Sequence, residues 1–271
     1  MINSNQLCPV LFIPHGGGPL PLLGDESHLA LVSFLKEITL SLPLPSSILI
    51  ISAHWEEDKV TITNGKRPSL IYDYYGFPEE TYQIEYPAPG DPELANKIYK
   101  LFQDSGIEAK LDEQRGFDHG MFVPLKIMFP EAEIPCVQLS LINNLDPESH
   151  FKLGKALSKL RKENVLIIGS GFTFHNMQAL MSQNSVVDFK NEEFEQWLID
   201  TCTNPNYSPS LQEQKLIEWS EAPFARYCQP REEHLLPLHV CAGVSGSTAK
   251  LVFEGKVAGK KTSAFLWNDF T

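Results

Sequence analysis

What most limits the fold of this chain is an alternation along its length. Short apolar runs rich in β-branched residues recur between stretches that carry helix caps. The runs are Cys8–Ile13, Ile48–Ser52, Val60–Thr63, Pro135–Leu139, Val165–Ile168, Ala249–Phe253 and Ser263–Trp267. At these lengths they are strands, several of them buried on both faces as parallel strands are. Helices are expected at Leu29–Ser41 after Asp25 and Ser27, and at Pro92–Ser105, where Asp91 caps and Gly106 follows the end. Others are expected at His150–Lys162 after Asp146-Pro147, at Phe189–Thr201 after Asp188, and over Glu232–Val244. Strands alternating with helices predict an α/β fold. The segment from Val252 to Lys256 followed by Thr262–Trp267 has the pattern of a hairpin. The expectation is therefore a layered α/β/α architecture with a mixed, mainly parallel central sheet and an antiparallel edge. At 271 residues one large domain or two small ones are expected, and with no clear boundary along the chain the reading is a single catalytic domain spanning 1–271.

Charge and cysteine usage exclude several classes. Lys plus Arg is 22 against 34 for Asp plus Glu, a formal charge of −12. Nucleic acids and anionic membranes bind through clustered basic charge, so neither is an expected partner. No run of 18 apolar residues occurs, and the N-terminus lacks the basic and apolar segments of a signal peptide. The five cysteines are scattered, with no C-x-x-C pair, which argues against a disulfide framework or a cysteine zinc site. A reducing cytoplasm is the expected setting.

Three histidines share one local context. His15 follows the run ending at Ile13-Pro14, His54 follows Ile48 to Ala53, and His175 follows Leu166 to Gly171 by a short loop. Each is expected just past the carboxyl end of a buried strand, where open α/β sheets bind ligands. One such histidine is most simply structural; three point to a shared crevice. Glycines beside them, Gly16-Gly17-Gly18 and Gly169-Ser170-Gly171, permit close backbone approach. Neither matches a dinucleotide fingerprint, no phosphate loop is present, and His15-Gly16-Gly17-Gly18 lacks the G-x-S-x-G elbow a serine hydrolase needs. H-E-x-x-H is absent.

His119 lies in a turn-like polar island, Gly116 to Gly120, beside Asp118. His234 stands at the expected start of the last helix, either in a site or in a solvated first turn. His239 should point elsewhere, about 140° around that helix. His28 and His150 sit in polar helix-start contexts and are expected at the surface. Several histidines without paired cysteines suit a transition metal, Zn, Fe, Cu or Ni rather than Mg or Ca. Three ligands with open positions would make the site catalytic. The segment from Arg67 to Pro89 is rich in Tyr, Pro and Gly. It reads as a lid or binding loop, the alternative being an aromatic-anchored connector over a core face.

Six segments carry a family resemblance in order: FIPHGGGPLPLLGD, ISAHWEE, YDYYGFPEETYQIEYPAPGDPELA, GFDHGMFVPLKIMFP, IIGSGFTFHNM and REEHLLPLHV. Together they resemble the class III extradiol ring-cleaving dioxygenases, most of all the 4,5-DOPA extradiol dioxygenase branch. The resemblance implies a mononuclear non-haem metal, Fe(II) for activity, with Zn(II) also found in isolated members. It implies metal ligation by His15, His54 and His234, with Glu233 as the alternative third ligand because protocatechuate enzymes use a carboxylate there. It makes His175 the acid–base residue, near enough to be a fourth ligand in a zinc form, and His119 a pocket histidine near substrate. The implied reaction opens the ring of a DOPA-like catechol beside its diol with O2 and yields a semialdehyde. Tyr74, Tyr75 and Phe77 are candidates to close over the ring. A zinc-dependent hydrolase on the same histidines is the competing reading. The sequence leaves substrate-binding residues and oligomeric state open.

Overall fold

One eight-stranded sheet organises residues 7–181 and 188–268, the part of the chain that the computed structural model describes. Its strands are β1 (Val10–Pro14), β2 (Ser47–Glu57), β3 (Val60–Thr63), β4 (Ala109–Asp112), β5 (Cys136–Ile142), β6 (Val165–Gly171), β7 (Lys250–Val257) and β8 (Lys260–Trp267). The spatial order is β4-β3-β5-β2-β6-β1-β8-β7. At the centre, β5, β2, β6 and β1 run parallel and are almost wholly buried, as their unbroken apolar runs require. The predicted hairpin is present: β8 pairs antiparallel with β7 and with β1. Its turn residues Ala258 and Gly259 both have positive φ, the backbone sense that matches strand twist in a two-residue hairpin loop. At the other side β3 meets β5 antiparallel, so antiparallel pairing flanks the parallel centre on both sides rather than one.

The helices are α1 (Leu29–Ser41), α2 (Pro92–Asp104), α3 (His119–Met128), α4 (Pro147–Leu157), α5 (Met177–Met181), α6 (Phe189–Thr203), α7 (Pro209–Ile217), α8 (Ala225–Cys228) and α9 (Leu236–Ser245). The expected caps are in place: Asp91 accepts from Leu94 N–H and Asp188 from Asn191 N–H. Two helices differ most from the sequence reading. α4 starts at Pro147 and gives way to a 3₁₀ stretch, Ser158–Glu163. α9 starts at Leu236, four residues later than expected, and His234 lies in the turn before it. β4 and α3 carry no strong periodic signal. β4 is a half-exposed edge with alternating charge, and α3 is buried nearly all round and holds Pro124.

The layering follows from strand alternation. A Cβ on Gly169 would meet Cys241 and the Pro237 carbonyl, so that face of β6 is covered by α9. The next residue, Ser170, reaches the Gly120 carbonyl of α3 on the opposite face. Helices therefore cover both sides of the sheet. All five cysteines are buried free thiols. Among the described residues no helix is long and apolar enough to cross a membrane.

His28 and His150, expected at the surface, are fully buried. Each serves as a polar staple. His150 Nδ1 contacts the Asp146 carbonyl at 2.8 Å and its Nε2 accepts from Ile142 N–H, tying α4 to the end of β5. Burial pushes its pKa down to about 4. His239 does point away from the other histidines, bonded to the carbonyls of Leu216 and Leu235.

Candidate metal centre

The strand order puts β2, β6 and β1 side by side, so their carboxyl ends open onto one crevice. His15 directly follows β1, and its N–H bonds to the Gly171 carbonyl at the end of β6. His54 lies inside β2 rather than beyond it. The strand continues through a register shift between Ile51 and Glu56, and a bulge of this kind re-aims side chains. His175 is held by its N–H to the Cys228 carbonyl. The turn carrying His234 crosses directly over β6, where the His234 carbonyl accepts from Phe172 N–H. A Cβ on Gly171 would strike that carbonyl, so glycine is needed at this crossing.

Five imidazoles meet here. Ring centroids separate His15 from His54 by 4.8 Å, from His234 by 5.2 Å and from His119 by 5.6 Å. His54 lies 3.9 Å from His119 and 4.9 Å from His234, and His175 stacks on His234 at 3.4 Å. The possible donor atoms form two groups, each within 4.8 Å: His15, His54 and His119, and His175, Glu233 and His234.

Their hydrogen bonds give a common orientation. Ser170 Oγ donates to the Gly120 carbonyl, so it accepts from Nδ1 of His15 at 3.0 Å. Nδ1 of His119 donates to Asp73 Oδ1 at 2.8 Å. Nδ1 of His175 and of His234 both donate to Glu233 Oε1, at 3.0 and 3.1 Å. In these four rings Nδ1 is occupied from behind, leaving the lone pair on Nε2. His54 Nδ1 faces Asp73 Oδ2 more loosely, at 3.7 Å. The Nε2 atoms of His15 and His54 stand 3.0 Å apart. Two nitrogens each about 2.0–2.1 Å from one ion, at angles near 90–109°, lie roughly 2.8–3.4 Å apart, so the pair fits a shared metal.

Electrostatics favour the neutral rings that ligation requires. Burial, reinforced by neighbouring imidazoles, holds His15 and His54 well below the ordinary histidine pKa. Burial and His175 lower His234 to about 4. Burial alone would raise Glu233, but the N–H groups of His175 and His234 outweigh it and keep it ionised. Asp73 behaves alike: its bonds from His119 overcome burial and lower it.

The structure brings the five sequence-predicted site histidines together, and sequence reasoning missed what holds them. Asp118, next to His119, does not bond its ring; it bonds Ser52, Gln138 and Arg115 instead. Asp73 orients His119, and Ser170 orients His15. Glu233, considered as a ligand, has one oxygen occupied by two imidazoles and the other 3.4 Å from Arg231. His28 also lines the cavity, its Nε2 accepting from Gly17 N–H while Asp25 holds Nδ1. The 67–89 segment combines both expected roles. Tyr72 ties the segment to itself by donating to the Ile84 carbonyl and Tyr86 anchors it to the Phe129 carbonyl, while Tyr74, Tyr75 and Phe77 line the cavity.

Residues 23–264 match the family model for the catalytic LigB subunit of aromatic ring-opening dioxygenase. The chain belongs to the LigB family. It is 40% identical over 263 residues to dioxygenase tasH of Hapsidospora irregularis, covering 90% of this chain and 80% of that protein. It is 39% identical over 253 residues to 4,5-DOPA dioxygenase extradiol of Beta vulgaris, covering 92% and 91%. The crystal structure of the uncharacterized Escherichia coli K12 protein JW3007 superposes with a TM-score of 0.77 at 26% identity, over 96% of this chain and 99% of that one. This LigB-family protein is thus a dioxygenase by descent, and its family implies a mononuclear metal.

Proposed function

We propose that the protein is an extradiol dioxygenase that opens a catechol ring beside its diol with O2, giving a semialdehyde and incorporating both oxygen atoms. The observation that carries this reading is the set of imidazoles around one cavity, four with Nδ1 occupied from behind and the lone pair on Nε2. His15, His54 and His234 would hold the metal, Fe(II) for activity and Zn(II) as a competitor. When bound, a redox-active divalent ion supplies a Lewis acid for the diol and a path for electrons from the ring to O2.

The chain's own groups do the rest. His175, its Nδ1–H bonded to ionised Glu233, presents Nε2 as an acceptor for a catechol proton and can return that proton to the product oxygen. Such positioned acid–base groups contribute about 10²–10⁴-fold. His119, oriented by Asp73, presents Nε2 to the other hydroxyl. Tyr74, Phe77 and Phe172 wall the cavity, and a flat ring packed there is held in register and shielded from water.

His119 groups with His15 and His54 as closely as a third ligand would, which makes it the competing donor. Metal analysis of single variants separates the two. His234→Ala should lose the metal, His119→Ala should retain it, and Glu233→Ala should weaken binding about 10–100-fold without abolishing it; the reverse pattern would reassign the ligand. For the reaction, protein loaded anaerobically with Fe(II) should consume one O2 per catechol and produce a yellow semialdehyde. No uptake across a catechol panel that includes DOPA would overturn the proposal. Ester or amide hydrolysis persisting without oxygen would favour the zinc-hydrolase reading.

A further inference from the structure

This inference rests on the ring-opening reading and concerns which catechols the cavity admits. The histidines occupy its buried end, where His15, His119 and His234 are 2–4% exposed. The cavity extends outward to about 400 Å³. Its wall is formed by Leu20, Tyr74, Phe77, Phe172 and Leu180. At its mouth stand Tyr75, Met177 and Met181, which are 92%, 48% and 75% exposed. Among the described residues that line it, none is lysine, arginine, aspartate or glutamate. Residues 182–187, which follow Met181, carry no ionisable side chain in the sequence.

Three cations on adjoining segments are engaged elsewhere. Arg231 makes a paired contact with Glu56, Lys260 bonds Asp188 at 2.6 Å, and Arg115 bonds Asp118. Carboxylates, by contrast, stand directly behind the lining: Asp25 holds His28 and Asp73 holds His119. The chain's net charge of −12 adds to the same sign.

We propose that the substrate is a catechol whose ring substituent is uncharged and apolar, not one ending in a carboxylate or free amino acid. A carboxylate on the substituent would exchange water for methionine, leucine and phenylalanine, with no lysine or arginine among the described lining residues to meet it. An apolar substituent leaves water for the same surface, and each CH₂ buried strengthens binding roughly fourfold. It would also cover the exposed methionines and Tyr75 at the mouth.

The test uses a matched pair, 4-propylcatechol and 3-(3,4-dihydroxyphenyl)propanoic acid, with DOPA as a third ligand. Dissociation constants are measured by calorimetry on the Zn(II)-loaded protein, which binds catechols without redox turnover. The propylcatechol should bind at least tenfold tighter than the acid or DOPA, and Fe(II)-loaded protein should show the same order in kcat/KM. Met177→Arg, which places a cation at the mouth, should narrow the gap by tightening the acid. Equal or tighter binding of the acid to the unaltered protein, or an unchanged gap in M177R, would overturn the proposal. Binding of no catechol at all would overturn the ring-opening reading and this proposal together. Discriminating binding without O2 uptake by the Fe(II) form would sink the ring-opening reading alone.

Discussion

A single hydroxyl decides which nitrogen of His15 faces the cavity. Ser170 donates to the Gly120 carbonyl and so accepts from Nδ1, leaving Nε2 with its lone pair. Glu233 does the same for two rings at once. Groups that orient ligands in this way typically govern metal affinity by about 10–100-fold. Ser170→Ala and Glu233→Gln should each weaken metal binding by that order, read by competition with a chelator of known affinity. His175→Ala should behave differently, keeping the metal but losing about 10²–10⁴-fold in turnover. If His175→Ala also loses the metal, His175 is a ligand. At this scale the sequence was only partly legible. His15, His54 and His175 announce themselves because each closely follows an apolar run. Asp73 and Ser170 do not, because their bonds to His119 and His15 span 46 and 155 residues, and no local pattern records such a pairing.

Elements pack closely where glycine allows it. Gly154 of α4 and Gly243 of α9 face each other: a Cβ on Gly154 would strike the Val240 carbonyl, and one on Gly243 the Phe151 carbonyl. Backbone cannot yield as a side-chain tip can. Gly154→Ala should therefore cost about 1–3 kcal/mol. In a chain of this size that lowers Tm by several degrees, measurable by calorimetry. The α6 cap offers a second check. Asp188 accepts from Asn191 N–H, from Tyr227 and from Lys260, so Asp188→Ala should cost at least the roughly 1 kcal/mol typical of a lost cap. Capped helices were legible because Asp-Pro and Asp at the boundary satisfy orphan N–H groups locally. The start of α9 was not. The four residues before it run as a turn over Gly171, and only the tertiary crossing requires that.

Across the whole molecule, one buried acid shapes stability. Glu195 of α6 is fully buried, its Oε2 bonded to Ser263 of β8, and among the described residues its Oε1 has no hydrogen-bond partner. Burial pushes its pKa up to about 7. The folded state then holds a proton that the unfolded chain releases near pH 4.5. Glu195's contribution to stability must fall as pH rises from about 4.5 through about 7 and is constant above that, a penalty of about 3 kcal/mol, while the buried histidines held below their ordinary pKa act in the opposite sense over the same range. Glu195→Gln should raise Tm at pH 8 and leave it little changed near pH 4.5, so the difference in Tm between variant and parent should grow with pH between the two. A parallel slope in the variant would remove Glu195 as the cause.

By itself the sequence determined the layered α/β class, the hairpin at the C-terminal edge and the three histidines that follow buried apolar runs. Each rests on short-range causes: side-chain period, caps, turn residues and the break from apolar to polar where a strand leaves the core. The tertiary structure decided what those causes cannot reach. Strand order brought β2, β6 and β1 together, so histidines far apart in the chain share one cavity. It buried His28 and His150, whose polar neighbours suggested the surface, because both rings satisfy backbone groups inside the fold. It also set the second layer of contacts, Ser170, Asp73 and Glu233, that aims each imidazole. Such contacts depend on where distant segments lie in space, and only the packed molecule specifies that.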